Sequence, residues 1–479
     1  MAAPVPESPR MPEGEIAALD DPSGELRKLA GDCVHCGFCL PSCPTYQLWG
    51  EEMDSPRGRI HLITQILDGA EGGANTATHL DRCLGCMACV TACPSGVRYD
   101  RLIEAARGWA EADEHAATVA GSTVAGSTVA GSTGGGNVQR RLLPPRSRRD
   151  RAVRATIFSL FPYPRRLRAA VAPLRAAQRL GLTAAIGRAE LAGRLPAELA
   201  AALRLAPDPP RGRGRGRHAL PPRVPATGPR RAVVGMLTGC VQSVFYPQVN
   251  AATADVLAAE GCDVIVPARP GCCGALSLHG GRTAEAIGLA KRTIETFEQA
   301  GVDAIVVNVA GCGSAMKEYT GLLAADPDWA GRAAALSGKV RDFSEFLTEL
   351  GPVAPRHPLP VTAAYHDACH LAHAQRITAQ PRELLRGIPG LQLTEIADAG
   401  TCCGSAGIYN LVQPGPAREL GRRKADAVAA TRADVLVSGN PGCALQISSA
   451  LAERGTRMPM VHLAEVLKAS IRGGSTVPW

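Results

Sequence analysis

Aromatic residues are scarce in this chain, at 4% of 479 residues. Alanine, valine and leucine must therefore do most of the packing, and a 46% hydrophobic content is enough for full cores. A charged fraction of 20% excludes wholesale disorder. No run of about 18 apolar residues occurs, so no transmembrane helix is expected. MAAPVPESPR at the N-terminus has no basic-then-apolar pattern. No secretory signal is expected, and the thiols should meet a reducing cytosol. No strand-linked G-x-G-x-x-G and no P-loop are present, so no flavin, nicotinamide or nucleotide site is expected in this chain. No nucleophile–base constellation and no catalytic residue can be named either.

What is abundant is cysteine, with 17 residues. In a reducing compartment these point to metal ligation or redox chemistry rather than to disulfides. They also divide the chain. Residues 1–28 read as a loose N-terminal arm and 29–115 as a domain with eight cysteines. A flexible insertion at 116–138 repeats TVAGS three times. Residues 139–229 form an Arg-rich helical connector without cysteine, and two α/β modules follow at 230–350 and 351–479.

The first eight cysteines fall into Cys33, Cys36, Cys39, Cys43-Pro44 and Cys83, Cys86, Cys89, Cys93-Pro94. Both groups read C-x2-C-x2-C-x3-C-P, the spacing of a bacterial two-cluster ferredoxin. Three thiolates of one loop wrap one iron–sulfur cube, and the fourth crosses to the other. One [4Fe-4S] cluster then takes Cys33, Cys36, Cys39 and Cys93, and the other takes Cys83, Cys86, Cys89 and Cys43. The fourth cysteine of each group is expected to start a helix, with the proline in its first turn. A pair of zinc sites is the competing reading, but zinc favours two C-x2-4-C pairs. Between the groups, Ser55-Pro56 reads as an N-cap followed by proline at the first helical position. Arg57 and Arg59 are candidates for holding an anion or a partner's carboxylate, against a solvated helix start.

The remaining cysteines repeat. Cys240, Cys272-Cys273-Gly274 and Cys312 are matched by Cys369, Cys402-Cys403-Gly404 and Cys443, at offsets of 129 to 131 residues. Apolar runs at 232–239, 262–267, 303–310, 361–366 and 434–439 predict buried strands with helices between them. Two pseudo-symmetric CCG modules follow, with a mainly parallel sheet and thiols beyond the strand ends. A cluster or metal in each half, one site at most, or buried inert thiols all stay open. Cys262 has no counterpart and reads as core. His366, Asp367 and His370 flank Cys369 as ligands, supporting partners or proton donors, against structural histidines.

Taken together, CVHCGFCLPSCPTYQLWGEEMDSPRGRI, CLGCMACVTACPSGVRYDRLIE and the two CCG modules resemble the iron–sulfur subunit of bacterial glycolate oxidase (glycolate dehydrogenase). The resemblance implies a helical two-cluster ferredoxin-like domain joined to a C-terminal α/β domain. It implies an electron-transfer subunit, with no substrate-oxidising site of its own. Its partners would be FAD-binding glycolate oxidase subunits that oxidise glycolate to glyoxylate, with quinone or another acceptor downstream. The isolated protein is expected to be brown, with about eight irons and no glycolate activity. The CCG modules also resemble B-type subunits of heterodisulfide reductase and subunits of lactate utilisation. That likeness implies an alternative, a reductase subunit with its own redox site. Each module here departs from the reductase pattern, because Cys312 and Cys443 are not followed by C-x-x-C.

The connector carries 22 arginines against four acidic residues over 139–231. Phe158, Leu160 and Phe161 beside Arg165, Arg166 and Arg168 fit an interfacial membrane helix. The location expected is cytoplasmic, with peripheral contact at the inner face of the cell membrane. Nucleic acid is not an expected partner.

Overall fold

In the computed structural model, residues 24–70, 72–120, 143–144, 146–180, 196–207, 220–268, 271–474 and 479 are described. Most of the N-terminal arm, the TVAGS insertion after Ala120 and the RGRGRGR run lie outside the described residues. The chain forms two compact units, Met1–Arg148 with Gly280–Arg282, and Arg149–His279 with Thr283–Trp479.

The first unit is helical in its described residues. Ser55 caps the helix Pro56–Leu67 by accepting from the Gly58 N–H at 3.0 Å, with Pro56 in the first turn. Such a cap stabilises a helix by about 1 kcal/mol. Ile60, Ile63, Ile66 and Leu67 of this helix pack with Leu102, Ile103 and Ala106 of the helix Tyr99–Ala120. Asp54 is fully buried and is held by two arginines and a histidine. Arg59 lies at 3.3 Å, His79 at 2.9 Å and Arg82 at 2.8 Å. Gly58 is required by close approach, since a Cβ there would meet the Glu52 carbonyl oxygen at 2.0 Å.

The second unit holds two sheets. In chain order the strands are β1 (Arg223–Val224), β2 (Ala232–Leu237), β3 (Cys262–Ile265), β4 (Ala304–Val307), β5 (Val340–Asp342), β6 (Thr362–His366), β7 (Gln392–Glu395), β8 (Val435–Ser438) and β9 (Met460–Val461). The first sheet runs β1-β3-β2-β4-β5 and the second β7-β6-β8-β9. All pairings are parallel except β1 with β3. Without β1, the two orders are the same pattern repeated. Each cysteine-bearing loop or helix follows a strand end, where parallel α/β sheets build their sites.

The two sheets share one core. Val234, Met236 and Val264 of the first sheet pack in one cluster with Tyr365, Val435 and Val437 of the second. Each fully buried side chain of this kind contributes about 1.5–3 kcal/mol. Hydrogen bonds cross between the halves beyond the strand ends. Ala310 N–H donates to the Gly439 carbonyl at 3.0 Å, and His462 Nε2 lies 3.0 Å from the Asn308 carbonyl.

The connector forms helices Arg148–Leu160, Pro164–Arg179 and Ala197–Leu205. Ile157 and Phe158 are buried against Ala201, Ile408 and Leu411, with Phe161 packed alongside. The apolar face read as membrane-facing is therefore covered by protein. Arg165, Arg166 and Arg168 are exposed.

Candidate functional site: two cysteine loops and two CCG half-sites

The two cysteine loops of the first unit share a backbone shape. His35 and Gly37 have φ of 53° and 84°, and Gly85 and Met87, at the same offsets from their first cysteine, have 65° and 62°. Left-handed backbone at a histidine and a methionine is uncommon and is held by the surroundings. At Gly37 the left-handed backbone strains any larger residue, and its Cβ would also displace Arg57 Nη1, 2.8 Å away.

Cys33, Cys36 and Cys39 of the first loop line one cavity of about 420 Å³ together with Cys93. Cys89 and Tyr99 close its inner side. Cys36 is exposed, as are Val34 and Phe38 beside it, at 69% and 66%. Cys83, Cys86, Cys89 and Cys43 are all buried. Burial pushes the Cys89 thiol well up, and Cys86, Cys83, Cys43 and then Cys39 push it further. Cys39 also rises by burial, with Cys33 and Cys43 as its sulfur neighbours.

Cys83 goes the other way. Burial raises it, but the Arg59 and Arg107 cations, the Tyr99 hydroxyl and the Gly85 N–H outweigh that and hold it low. The Tyr99 hydroxyl lies 3.5 Å and the Gly85 nitrogen 3.3 Å from Cys83 Sγ.

Two expectations change here. Cys43 caps the helix Pro44–Trp49 with proline in its first turn, but Cys93 ends the helix Ala88–Ala92 instead of starting one. After Cys93, a Pro-Ser-Gly turn closes with Gly96 N–H on the Cys93 carbonyl at 3.3 Å. Arg57 and Arg59 are committed internally rather than offered to an anion. Arg57 pairs with Glu52 at 2.6 Å and bonds the His35 carbonyl at 3.1 Å. Arg59 is buried on Asp54, Thr45 and the His79 carbonyl.

In the second unit, the first half strings its thiols as Cys240, Cys272, Cys273 and Cys312, each bonded to the next. All four are pushed up. Cys240 rises through its bond to Cys272 and through burial. The bond from Cys240 lowers Cys272, but Cys273 and burial outweigh it. Cys273 and Cys312 are lowered by Cys272 and Cys273 respectively, and burial with nearby sulfur raises both. Tyr319 donates its hydroxyl to the Cys273 carbonyl at 2.5 Å.

The second half has the same string. Cys369 Sγ lies 3.7 Å from Cys402 Sγ, and Cys402 touches Cys403, which touches Cys443. Here one thiol differs in direction. The bonds from Cys402 and Cys443 hold Cys403 well below the ordinary thiol range, against burial and with help from His366. Cys402 and Cys443 rise. Buried Lys424 faces all four sulfurs and is lowered by burial; its Nζ bonds the Asp398 carbonyl at 2.8 Å. Asn440 Nδ2 donates to Cys443 Sγ at 3.3 Å.

Of the flanking residues, His366 ends β6 and is buried beside Cys403 and Cys443. Asp367 is paired with Arg382 at 2.6 Å. His370 opens a separate helical turn and lies edge-on to His279. Cys262 is buried in β3, and burial raises its thiol to about 11. Sequence reasoning missed Lys424, Asn440 and Tyr319. Aligning the two halves position by position would have exposed the first two as substitutions for Thr293 and Val309.

Comparisons with known proteins follow this layout. The 4Fe-4S dicluster domain family matches residues 30–97, and the cysteine-rich domain family matches 234–317 and 363–448. The linker region of the glycolate oxidase iron–sulfur subunit matches 149–206. The probable glycolate oxidase iron–sulfur subunit of Bacillus subtilis (strain 168) is 36% identical over 467 residues, covering 96% of this chain and 94% of the relative. The glycolate oxidase iron–sulfur subunit of Escherichia coli (strain K12) is 34% identical over 447 residues, 92% of this chain and 93% of the relative. Lactate utilization protein A of Shouchella clausii (strain KSM-K16) is 31% identical over 242 residues, 49% of this chain and 98% of the relative. Among the described residues, no helix is long and apolar enough to cross a membrane.

Proposed function

The chain belongs to the glycolate oxidase iron–sulfur subunit family, and from that premise we propose that it is the electron relay of a glycolate-oxidising complex. Cys33, Cys36, Cys39 and Cys93 hold one [4Fe-4S] cluster; Cys83, Cys86, Cys89 and Cys43 hold the other. The observation that carries this is the cavity shared by three thiols of the first loop and Cys93 of the second. The donor set suits the group, since thiolates at this spacing are the ligands of iron–sulfur cubes. When bound, such a cluster accepts and releases one electron at a time.

The surrounding residues set the electrostatics. Arg59 and Arg107 bring positive charge to the inner thiols, and the Gly85 N–H and Tyr99 hydroxyl donate to Cys83. Donors of this kind favour the more negative, reduced state. The outer loop, with Cys36, Val34 and Phe38 exposed, is the place where electrons cross the surface. The flavin-bearing partner oxidises glycolate, and quinone or another acceptor takes the electrons onward. In this reading substrate oxidation belongs to that partner rather than to this chain. Contact with an anionic membrane would use the exposed Arg165, Arg166 and Arg168, because the neighbouring apolar side chains are covered.

The test is anaerobic reconstitution of the full chain. About eight irons and eight acid-labile sulfides are expected, with bleaching by glycolate only when the flavoprotein subunit is added. Cys93→Ser and Cys43→Ser should each lose about half the iron. Iron near zero, or bleaching by glycolate alone, would overturn the assignment.

A further inference from the structure

We propose that the second CCG half is a mononuclear metal site for one soft divalent ion of the zinc class, held by His366, Cys403 and Cys443, and that the first half holds no ion. This stands apart from the relay reading, which rests on the other unit's thiols.

Three observations carry it. One nitrogen of His366 and the sulfurs of Cys403 and Cys443 all lie within 4.8 Å of one another. Two sulfurs sharing one tetrahedral zinc ion stand about 3.8 Å apart, from Zn–S bonds of about 2.3 Å. The three donor atoms are therefore close enough to share a single ion. Second, His366 is 1% exposed, its ring nitrogens find no oxygen or nitrogen partner, and the group it interacts with is the Cys403 sulfur. A buried imidazole left with only a sulfur contact costs free energy unless something stronger bonds it. It sits against two sulfurs, where a metal bond would supply that partner. Third, imidazole and thiolate donors together select zinc or iron over magnesium and calcium.

The first half lacks this donor. Leu237 ends β2 as His366 ends β6, each three residues before its module's first cysteine. The strand registers agree, with Leu237 opposite Val307 and His366 opposite Ser438. Asn440, which orients Cys443, is replaced by Val309 three residues before Cys312. Among the described residues, the first half therefore offers four sulfurs in a row with no matching imidazole and no side-chain amide on its last thiol.

Binding replaces the protons of the two thiols with one divalent ion, so two protons leave and no electron moves. The experiment loads full-length protein with Zn2+ after anaerobic reconstitution, removes loose metal, and counts zinc, iron and sulfide on one sample. One zinc per chain is expected. Co2+ in its place should give thiolate-to-cobalt charge transfer and tetrahedral d–d bands. His366→Leu, which installs the residue the first half uses, should abolish the zinc while leaving sulfide unchanged. His366→Cys keeps a donor, so it should retain one zinc and shift the cobalt bands. Cys240→Ser and Cys273→Ser should leave zinc unchanged. The proposal falls if wild type binds no zinc, if His366→Leu keeps it, if the Cys240 or Cys273 variants lose it, or if Cys403→Ser removes iron together with sulfide. Unchanged sulfide in every variant separates failure here from failure of the relay.

Discussion

Gly274 and Gly404 occupy the same place in the two CCG halves, with φ of 85° and 88°. Gly274 leans on the Ala286 carbonyl and Leu289; Gly404 leans on Ala417 and Leu420. Around this common turn the side chains part company. The first half surrounds its sulfurs with Leu237, Thr293, Val309 and Tyr319, and the second with His366, Lys424, Asn440 and, at a distance, the Asp367–Arg382 pair. A duplicated backbone can thus keep its cysteines and still push every thiol of one half up while holding one thiol of the other half low. The two halves differ in the charged and polar side chains around their sulfurs, not in cysteine count.

Lys424 is the sharpest point of difference. Lys424→Met removes a buried cation that faces four sulfurs and bonds two backbone carbonyls. A loss of about 3 kcal/mol is expected in denaturant titration, from hydrogen bonds of a charged donor to two carbonyls left unsatisfied. Thr293→Val, at the matching position, removes only a bond to its own helix carbonyl and should cost about 1 kcal/mol. Equal losses would erase the contrast.

The joint between the halves has an acid limit. Buried His462 accepts from Ala464 N–H on Nδ1, and its Nε2 faces the Asn308 carbonyl. Burial lowers its pKa from 6.5 to about 4, partly offset by Asn308. Between these values the unfolded chain binds the extra proton, so stability rises with pH. The stabilisation is complete above about pH 6.5 and is lost progressively toward pH 4, about 3 kcal/mol in all. Glu465, raised by burial, slopes the opposite way. His462→Asn isolates the histidine and should flatten the acid limb of unfolding curves taken across this range.

A smaller effect measures how closely the two turns match. Gly274→Ala and Gly404→Ala both force a side chain into left-handed backbone, at about 1–2 kcal/mol. At Gly404 the new Cβ also meets a carbonyl oxygen at 2.6 Å, against 3.2 Å at Gly274. Gly404→Ala should therefore lower the melting temperature more. The reverse order would mean that the first turn is the tighter one.

Much of this was legible because apolar runs and cysteine spacing are local signals. β2, β3, β4, β6 and β8 are continuous buried runs and were readable as such. β1, β5, β7 and β9 were not, being two to four residues long, and several are polar, as in Gln392–Glu395. The sixteen thiols of the two cysteine loops and the CCG modules were readable from spacing. Their surroundings were not, because Lys424 and Tyr319 arrive from helices far along the chain. The DSPRGRI string announced a helix start, but not that Asp54 would take Arg59, Arg82 and His79 into the interior. Phe158 shows the same limit, since amphipathic spacing cannot tell a lipid surface from Ile408 and Leu411.

The core common to both sheets has a kinetic consequence. Val234 and Met236 lie in the same cluster as Tyr365, Val435 and Val437, so neither sheet can open without exposing apolar surface on the other. Amide protons on β2 and β8 should exchange with deuterium at similar rates, through one collective opening. An ion bound at His366 would then slow exchange on both sheets, including the one that binds nothing.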